Sequence, residues 1–340
     1  MKRVLFFFLV SMALLACNPA KRYIRIDGYA QGGTYCVKLN MEGVSVPADE
    51  IRDSVEAILQ CIDTTLSGYN KGSILSRLNR GESVPATPML REMYALAYEW
   101  YVKSEGALDF AAGPLYDAWG FGFKEGRLPD ADTVQAILSR CGMKFLPPSL
   151  PEGIINMQNT SLNFNAIAQG YTCDKVAAYL YSIGVKDMLV DIGEIWCDGL
   201  NPAGKPWSVG IDRPFDRPTD GTDTAGEQLD GIWSSEGAAV GIVTSGNYRK
   251  YYVKDGKKYA HTIDPRTGYP VEHQLLSASV TSPHSSADAD ALATWCMVLG
   301  PDAAKELILQ LEGVEGYLIS SDGEGGMTEW ASPGFTLREN

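Results

Sequence analysis

The chain has only three histidines, His261, His273 and His284. His261 stands in the run Ala260-His261-Thr262-Ile263-Asp264-Pro265, between a small residue and a hydroxyl, with a carboxylate three positions on. Imidazole titrates nearest neutrality, so a histidine there can act as a general base or orient a ligand. Asp264 is the rival base, and a purely structural histidine at a proline turn is the plain alternative. Just upstream, Thr244-Ser245-Gly246 offers two hydroxyls and backbone amides. Such a run holds phosphate or simply makes a turn.

A second group lies in Asp288-Ala289-Asp290-Ala291-Leu292-Ala293-Thr294. On a helix, Asp290 and Thr294 are four apart and share a face. A carboxylate and a hydroxyl are hard oxygen donors of the kind Mg²⁺ takes, with phosphates and water completing its shell. Asp288 is the expected N-cap of that helix. In Asn163-Phe164-Asn165-Ala166-Ile167-Ala168-Gln169-Gly170-Tyr171, followed by Asp174, a polar strand end runs into a helix start. Free amides at such a start favour an anion such as a pyrophosphate, although capping by Asn165 would also explain the sequence. Gly106-Ala107-Leu108-Asp109, Gly113-Pro114-Leu115 and Trp119-Gly120-Phe121-Gly122 put glycines beside aromatics. That density suits backbone approaching a planar ligand, or a tight aromatic turn.

These residues need elements to position them. Apolar spacing predicts helices over 49–66, 88–104, 131–141, 168–183, 287–299 and 302–311. Compact apolar runs predict strands over 35–39, 188–192, 207–211, 238–244, 276–282 and 316–320. The stretch 213–230 holds Pro214, Pro218, Gly221 and Gly226 among acidic residues without periodicity, and reads as an exposed insertion. The expected class is therefore α/β of the α+β type: a mixed sheet with flanking helices and no internal repeat.

Composition narrows the function classes. Of 340 residues 45% are hydrophobic and 21% charged, too apolar for a disordered chain. The net charge of −13 argues against a protein that grips nucleic acid through its phosphates. After the start of the chain no apolar run is long enough for a membrane helix. The start itself has a basic Met1-Lys2-Arg3, then an apolar run to Ala16, ending Leu14-Leu15-Ala16-Cys17. This pattern resembles a lipoprotein signal peptide over 1–16, with Cys17 as the acylated first residue and 17–27 as a tether. The expected location is the cell envelope, anchored to a membrane by lipid, with the body outside the cytoplasm on the periplasmic side. The six cysteines beyond Cys17 form no CxxC pair and mostly sit in apolar runs, which predicts buried free thiols.

In order along the chain, Gly32-Gly33-Thr34-Tyr35, Ser67-Gly68-Tyr69, the three glycine motifs, Ala166 to Tyr171, Asp191-Ile192-Gly193-Glu194, Thr244-Ser245-Gly246, His261 to Pro265 and Ala289 to Thr294 resemble the ApbE family, the FAD:protein FMN transferases. The resemblance implies a single domain over 28–340, FAD as substrate and Mg²⁺ as metal. By position it implies FAD contacts at Gln31, Tyr69, Ala107, Leu108, Asp109, Asn163 and Gln169, with Ile263 and Asp264 alongside. It implies metal ligation by the Ala166 carbonyl, the Asp290 carboxylate and the Thr294 hydroxyl. Gln169 stands where the family usually has Lys or Glu, Asn163 where Asp is common, and Gln31 where Met is common. At 293, where some members supply a further metal ligand, this chain has Ala.

The expected reaction is transfer of FMN from FAD to a Thr or Ser hydroxyl of an acceptor protein in an electron-transfer complex, with release of AMP. His261 is the expected base. Hydrolysis of FAD to FMN and AMP, a flavin-binding lipoprotein without turnover, and an interaction protein using the 213–230 insertion are the alternatives. AMP release from FAD and Mg²⁺ separates turnover from the last two, and a covalently flavinylated acceptor separates transfer from hydrolysis.

Overall fold

A computed structural model describes residues 22–123, 128–158, 160–214, 229–247, 251–254 and 257–338. Cys17, the stretch 1–16 expected as a signal peptide and most of the 213–230 stretch lie outside these residues. The first two strands, β1 (Tyr23–Ala30) and β2 (Gly33–Asn40), form a hairpin. Its two-residue turn, Gln31-Gly32, has both residues at positive φ, 52° and 84°, as a tight hairpin requires. Residues 23–27, expected as tether, belong to β1; Ile24 and Ile26 turn inward while Arg25 and Asp27 stay exposed.

The long helix α1 (Ala48–Leu66) buries Ile51, Val55, Leu59 and Ile62 at helical spacing. A short helix, α2 (Ile74–Asn79), is capped by Ser73, whose hydroxyl accepts from the Ser76 amide at 2.9 Å. Next come β3 (Val84–Pro85), α3 (Pro88–Lys103), α4 (Gly113–Ala118), α5 (Ala131–Leu138), β4 (Ile154–Ile155) and α6 (Ala168–Ser182). A second tight hairpin joins β5 (Met188–Asp191) to β6 (Ile195–Asp198). The chain continues through β7 (Ser208–Asp212), β8 (Leu229–Ser234), β9 (Val240–Gly246), β10 (Tyr251–Lys254), β11 (Lys257–Ala260), β12 (Ile263–Asp264), β13 (Tyr269–Pro270) and β14 (Leu275–Ser282). It ends with α7 (Ser286–Leu299), α8 (Pro301–Gln310), β15 (Glu315–Ser321), β16 (Met327–Ala331) and β17 (Leu337–Arg338).

Among the described residues, eight strands form the main sheet in the order β1-β2-β5-β6-β9-β14-β15-β16. The α+β class is as expected, but the sheet is not mixed: every pairing in it is antiparallel. The connections explain this. The hairpins β1–β2, β5–β6 and β15–β16 impose it directly, and two helices lie between β14 and β15. One crossover helix returns the chain to its starting end and permits a parallel strand; a pair returns it to the other end.

Side-chain alternation gives the sheet two apolar faces. In β5, Met188 and Val190 pack with Val55 of α1 and Val176 of α6. Leu189, between them, packs with Trp207 and Trp233 on the side covered by the small sheet β17-β8-β7. At the centre lies α7, which buries Ala289, Ala291, Leu292, Ala293 and Met297 and also the polar Ser286 and Asp290. Its neighbours come close because they present glycine. A Cβ at Gly241 of β9 would lie 2.7 Å from Ser286 Cα, and one at Gly170 of α6 would lie 2.3 Å from the Ser286 carbonyl oxygen.

No helix among the described residues is long and apolar enough to cross a membrane. All six described cysteines are free thiols, and Cys141, Cys173, Cys197 and Cys296 are buried.

Candidate active site

The site is built where the first turns of α6 and α7 meet. Asp290, on α7, is 4% exposed, and one carboxylate oxygen accepts from the Gly170 amide of α6 at 3.1 Å. The anion expected at the start of α6 is thus supplied, at one amide, by the protein itself. Asp174, one turn into α6, accepts from the Ser286 and Ala287 amides at the start of α7, at 2.8 and 2.9 Å. The expected caps are corrected. Ser285, not Asp288, caps α7, accepting from the Asp288 amide at 2.9 Å. Ile167 occupies the N-cap position of α6 without a side-chain bond, and Asn165 is instead bound through its own amide to Asn163 Oδ1 at 2.9 Å.

From this junction the expected motifs connect in a closed circuit. At the β1–β2 turn, Gln31 donates to Thr172, and Thr172 donates to the Ala168 carbonyl at 2.6 Å. Gln169 donates to the Ile192 carbonyl at 3.2 Å, over the Asp191-Ile192-Gly193 turn. On α7, the Thr294 hydroxyl lies 3.5 Å from that of Ser245 on β9. Asn247, just past β9, accepts from the Thr262 hydroxyl at 2.5 Å. His261 adjoins Thr262, its ring edge-on to Phe121 with centroids 6.3 Å apart. The Trp119 indole donates to the Gly268 carbonyl at 2.8 Å and ties the Trp-Gly-Phe-Gly motif to this segment.

The circuit continues through buried Ile263 to Asp264. Asp264 accepts from Arg266 Nε and Nη2, both at 2.9 Å. Pro265 and Arg266 share an open cavity of about 500 Å³ with Gly106 and Asp109. Ala107 and Leu108 are buried, and both their backbone amides donate to Ser104, to its carbonyl at 3.0 Å and its hydroxyl at 2.9 Å. The strand end closes the ring: the Asn163 amide donates to the Phe110 carbonyl at 2.8 Å, and Asn165 Nδ2 to the Tyr69 hydroxyl at 3.3 Å. Tyr69 is 63% exposed and packs edge-on to Phe123 with centroids 5.1 Å apart, which leaves an accessible ring face.

Three expected ligand residues have other local partners. Thr244 points to the opposite sheet face from Ser245, and its hydroxyl lies 2.7 Å from that of Ser279 on β14. Both Asp264 oxygens are engaged by Arg266. Asp109 accepts from the Ala111 and Met143 amides, both at 2.9 Å, and so braces the Gly142 turn. Burial raises the Asp109 pKa, and those two amides draw it back down. Asp174 is the residue whose role the motifs do not reveal. Its trace in the sequence is a repeated spacing: Gly170 with Asp174, and Ser286 with Asp290, each a small residue followed four positions later by an aspartate.

The donor set fits a hard divalent cation. Burial pushes the Asp290 carboxyl up to about 7, the Gly170 amide opposes this, and the Asp174 charge adds to it. No described lysine, arginine or histidine pairs with Asp290, so its charge lacks a counter-ion, a costly state in a buried site. Among the described residues no three His, Cys, Asp or Glu side chains gather to hold a metal. A site of one carboxylate, one hydroxyl and the Ala166 carbonyl suits Mg²⁺, which keeps few protein ligands.

The fold is that of solved flavin transferases. The apo crystal structure of the flavinyl transferase ApbE from Pseudomonas stutzeri matches with a TM-score of 0.78 at 32% identity, covering 92% of this chain and 95% of that one. Flavin transferase ApbE from Vibrio cholerae matches with a TM-score of 0.75 at 28% identity, covering 92% and 97%. The chain belongs to the ApbE family, whose model matches residues 32–318. It is 32% identical over 334 residues to an FAD:protein FMN transferase of Klebsiella pneumoniae, spanning 95% of this chain and 91% of that protein. Over 303 residues it is 32% identical to the FAD:protein FMN transferase of Escherichia coli K12, spanning 84% and 81%.

Proposed function

We propose that this chain, a flavin transferase by family, moves FMN from FAD to a Thr or Ser hydroxyl of an acceptor protein and releases AMP. The observation that carries the proposal is the circuit itself: motifs scattered from Gln31 to Thr294 are linked by contacts, one of them at the buried Asp290 carboxylate, which pairs with no described Lys, Arg or His.

The acceptor oxygen forms a bond to the phosphorus of the FMN half, the bond from that phosphorus to the bridging oxygen breaks, and AMP leaves with that oxygen. His261 takes the hydroxyl proton. Asp264 is held through both oxygens by Arg266, so it steadies the segment that presents His261 instead of competing as base. Tyr69 offers an aromatic face to the flavin ring. Ala107 and Leu108 hold the segment beside Asp109, and Gln31, Asn163 and Gln169 contribute neutral amides. Ala166, Asp290 and Thr294 would hold Mg²⁺, which would supply positive charge to the transferring phosphoryl group.

The acceptor is a subunit of an electron-transfer complex with a Thr- or Ser-bearing segment. The basic start, short apolar run and Leu-Leu-Ala-Cys17 support lipid anchoring, with the body on the periplasmic side of a membrane. Incubation with FAD, Mg²⁺ and such a subunit should yield AMP and a covalently fluorescent acceptor band. AMP with free FMN only would mark a hydrolase, and intact FAD would overturn the proposal.

A further inference from the structure

Asp174 is not among the residues expected to contact FAD or metal, yet both its oxygens are engaged at the start of α7. Its two oxygens take the first two amides of α7, Ser286 and Ala287. Ser285 takes the third, that of Asp288. Four residues later on the same helix, Asp290 reaches back to the Gly170 amide of α6. The two helices thus exchange carboxylates, each aspartate capping the other helix, across a contact where a Cβ at Gly170 would lie 2.3 Å from the Ser286 carbonyl oxygen.

We infer that Asp174 is a positioning residue for the metal-ligating face of α7. The inference rests on the assignment of Ala166, Asp290 and Thr294 as Mg²⁺ ligands made above. Two of those ligands ride on α7 and the third lies two residues before α6. Whatever fixes α7 against the start of α6 therefore fixes the spacing of the ligand set. Asp174 does this from the α6 side with two charge-assisted bonds, while Asp290 does it from the α7 side with one. A small slide or rotation of α7 would carry Asp290 and Thr294 together away from Ala166. Asp174→Asn keeps the side-chain volume but leaves one acceptor oxygen, and turns an NH₂ toward an α7 amide.

The test is a calorimetric titration of Mg²⁺ alone into the wild-type protein and into Asp174→Asn. Groups that orient metal ligands typically change metal affinity by roughly 10- to 100-fold, so a loss of about tenfold or more is expected. The Mg²⁺ concentration that half-activates AMP release should rise by the same factor, with kcat at saturating Mg²⁺ within about twofold of wild type. In metal-free protein, amide exchange at Gly170, Ser286 and Ala287 should accelerate. Asp174→Glu keeps both acceptor oxygens and should recover part of the affinity; it also serves if the Asn variant does not fold. Asp130→Ala, which removes the α5 cap on the Thr133 amide, should cost stability without moving Mg²⁺ affinity. Wild-type Mg²⁺ affinity in Asp174→Asn, or an equal loss in Asp130→Ala, overturns the inference. So does a wild-type protein that binds no Mg²⁺. A wild type that binds Mg²⁺ but releases no AMP sinks the transferase reading alone, and the inference stands if Asp174→Asn still binds more weakly.

Discussion

The Gly170 amide and the Asp290 carboxylate, 3.1 Å apart, join the starts of two helices separated by more than a hundred residues of chain. The bond satisfies only one of the carboxylate's acceptor sites, and burial opposes the charge. Asp290→Asn should therefore abolish Mg²⁺-dependent AMP release while leaving the metal-free protein as stable as wild type or more so, by about 1 kcal/mol. Thermal melting without metal, beside an AMP assay, checks both halves. Lost stability together with retained activity would reverse the assignment.

Gly170→Ala sets two effects against each other. Alanine favours a helix over glycine by about 1 kcal/mol. The added methyl meets the Ser286 carbonyl oxygen at 2.3 Å, and the backbone of α7 must move. Overpacking of that kind typically costs about 1–3 kcal/mol, and here it also strains the Asp290 bond. The clash should win, giving a lower urea midpoint than wild type.

His261 and Asp264 separate by kinetics. His261→Ala should lower kcat by roughly 10²- to 10⁴-fold, the usual worth of a general base, with FAD binding retained. Asp264→Asn keeps a partner for Arg266 and should cost less than about tenfold. Reversed sensitivities would make Asp264 the base.

Adjacent hydroxyls should behave differently. Ser245→Ala removes the neighbour of Thr294 and should weaken Mg²⁺ activation. Thr244→Val removes a bond to Ser279 on the other sheet face and should cost about 1 kcal/mol of stability with little change in activity. Parallel melts and Mg²⁺ titrations of the two variants decide it.

Stability should fall in mild acid because of His273. Its Nδ1 accepts from the Leu275 amide at 3.2 Å and its Nε2 lies 2.9 Å from the Met297 carbonyl, which fixes a neutral ring with the proton on Nε2. Burial lowers its pKa below the usual 6.5. The unfolded chain then takes up the proton before the native one does. The stabilisation is whole above 6.5, declines as pH falls through that value, and is lost once the native ring protonates. Urea midpoints from pH 8 to pH 5 should show this decline in wild type and a shallower one in His273→Gln.

Much of this was legible in the sequence, and what was not has physical causes. The helix over 49–66 showed itself through Ile51, Val55, Leu59 and Ile62, and appears as Ala48–Leu66. By contrast β1 was hidden, because Arg25, Asp27 and the exposed Tyr29 break its apolar face down to two isoleucines. The antiparallel sheet could not be read from strands alone, since direction depends on how many helices lie between neighbours. In the site, Ser245 and Thr294 were legible by residue type, whereas the role of Asp174 depended on which helix it faced. Local capping rules favoured Asp288 and Asn165; the tertiary contact between α6 and α7 and the better-placed Ser285 overrode them.

The span of the circuit also orders events during synthesis. Gln31 emerges from the ribosome more than two hundred residues before Thr294. A growing chain stopped short of α7 has the hairpin, the glycine loops and the start of α6, but no carboxylate at the Gly170 amide and no partner for Asp174. A flavin that needs the completed circuit would hold it by mass action only after α7 has been made.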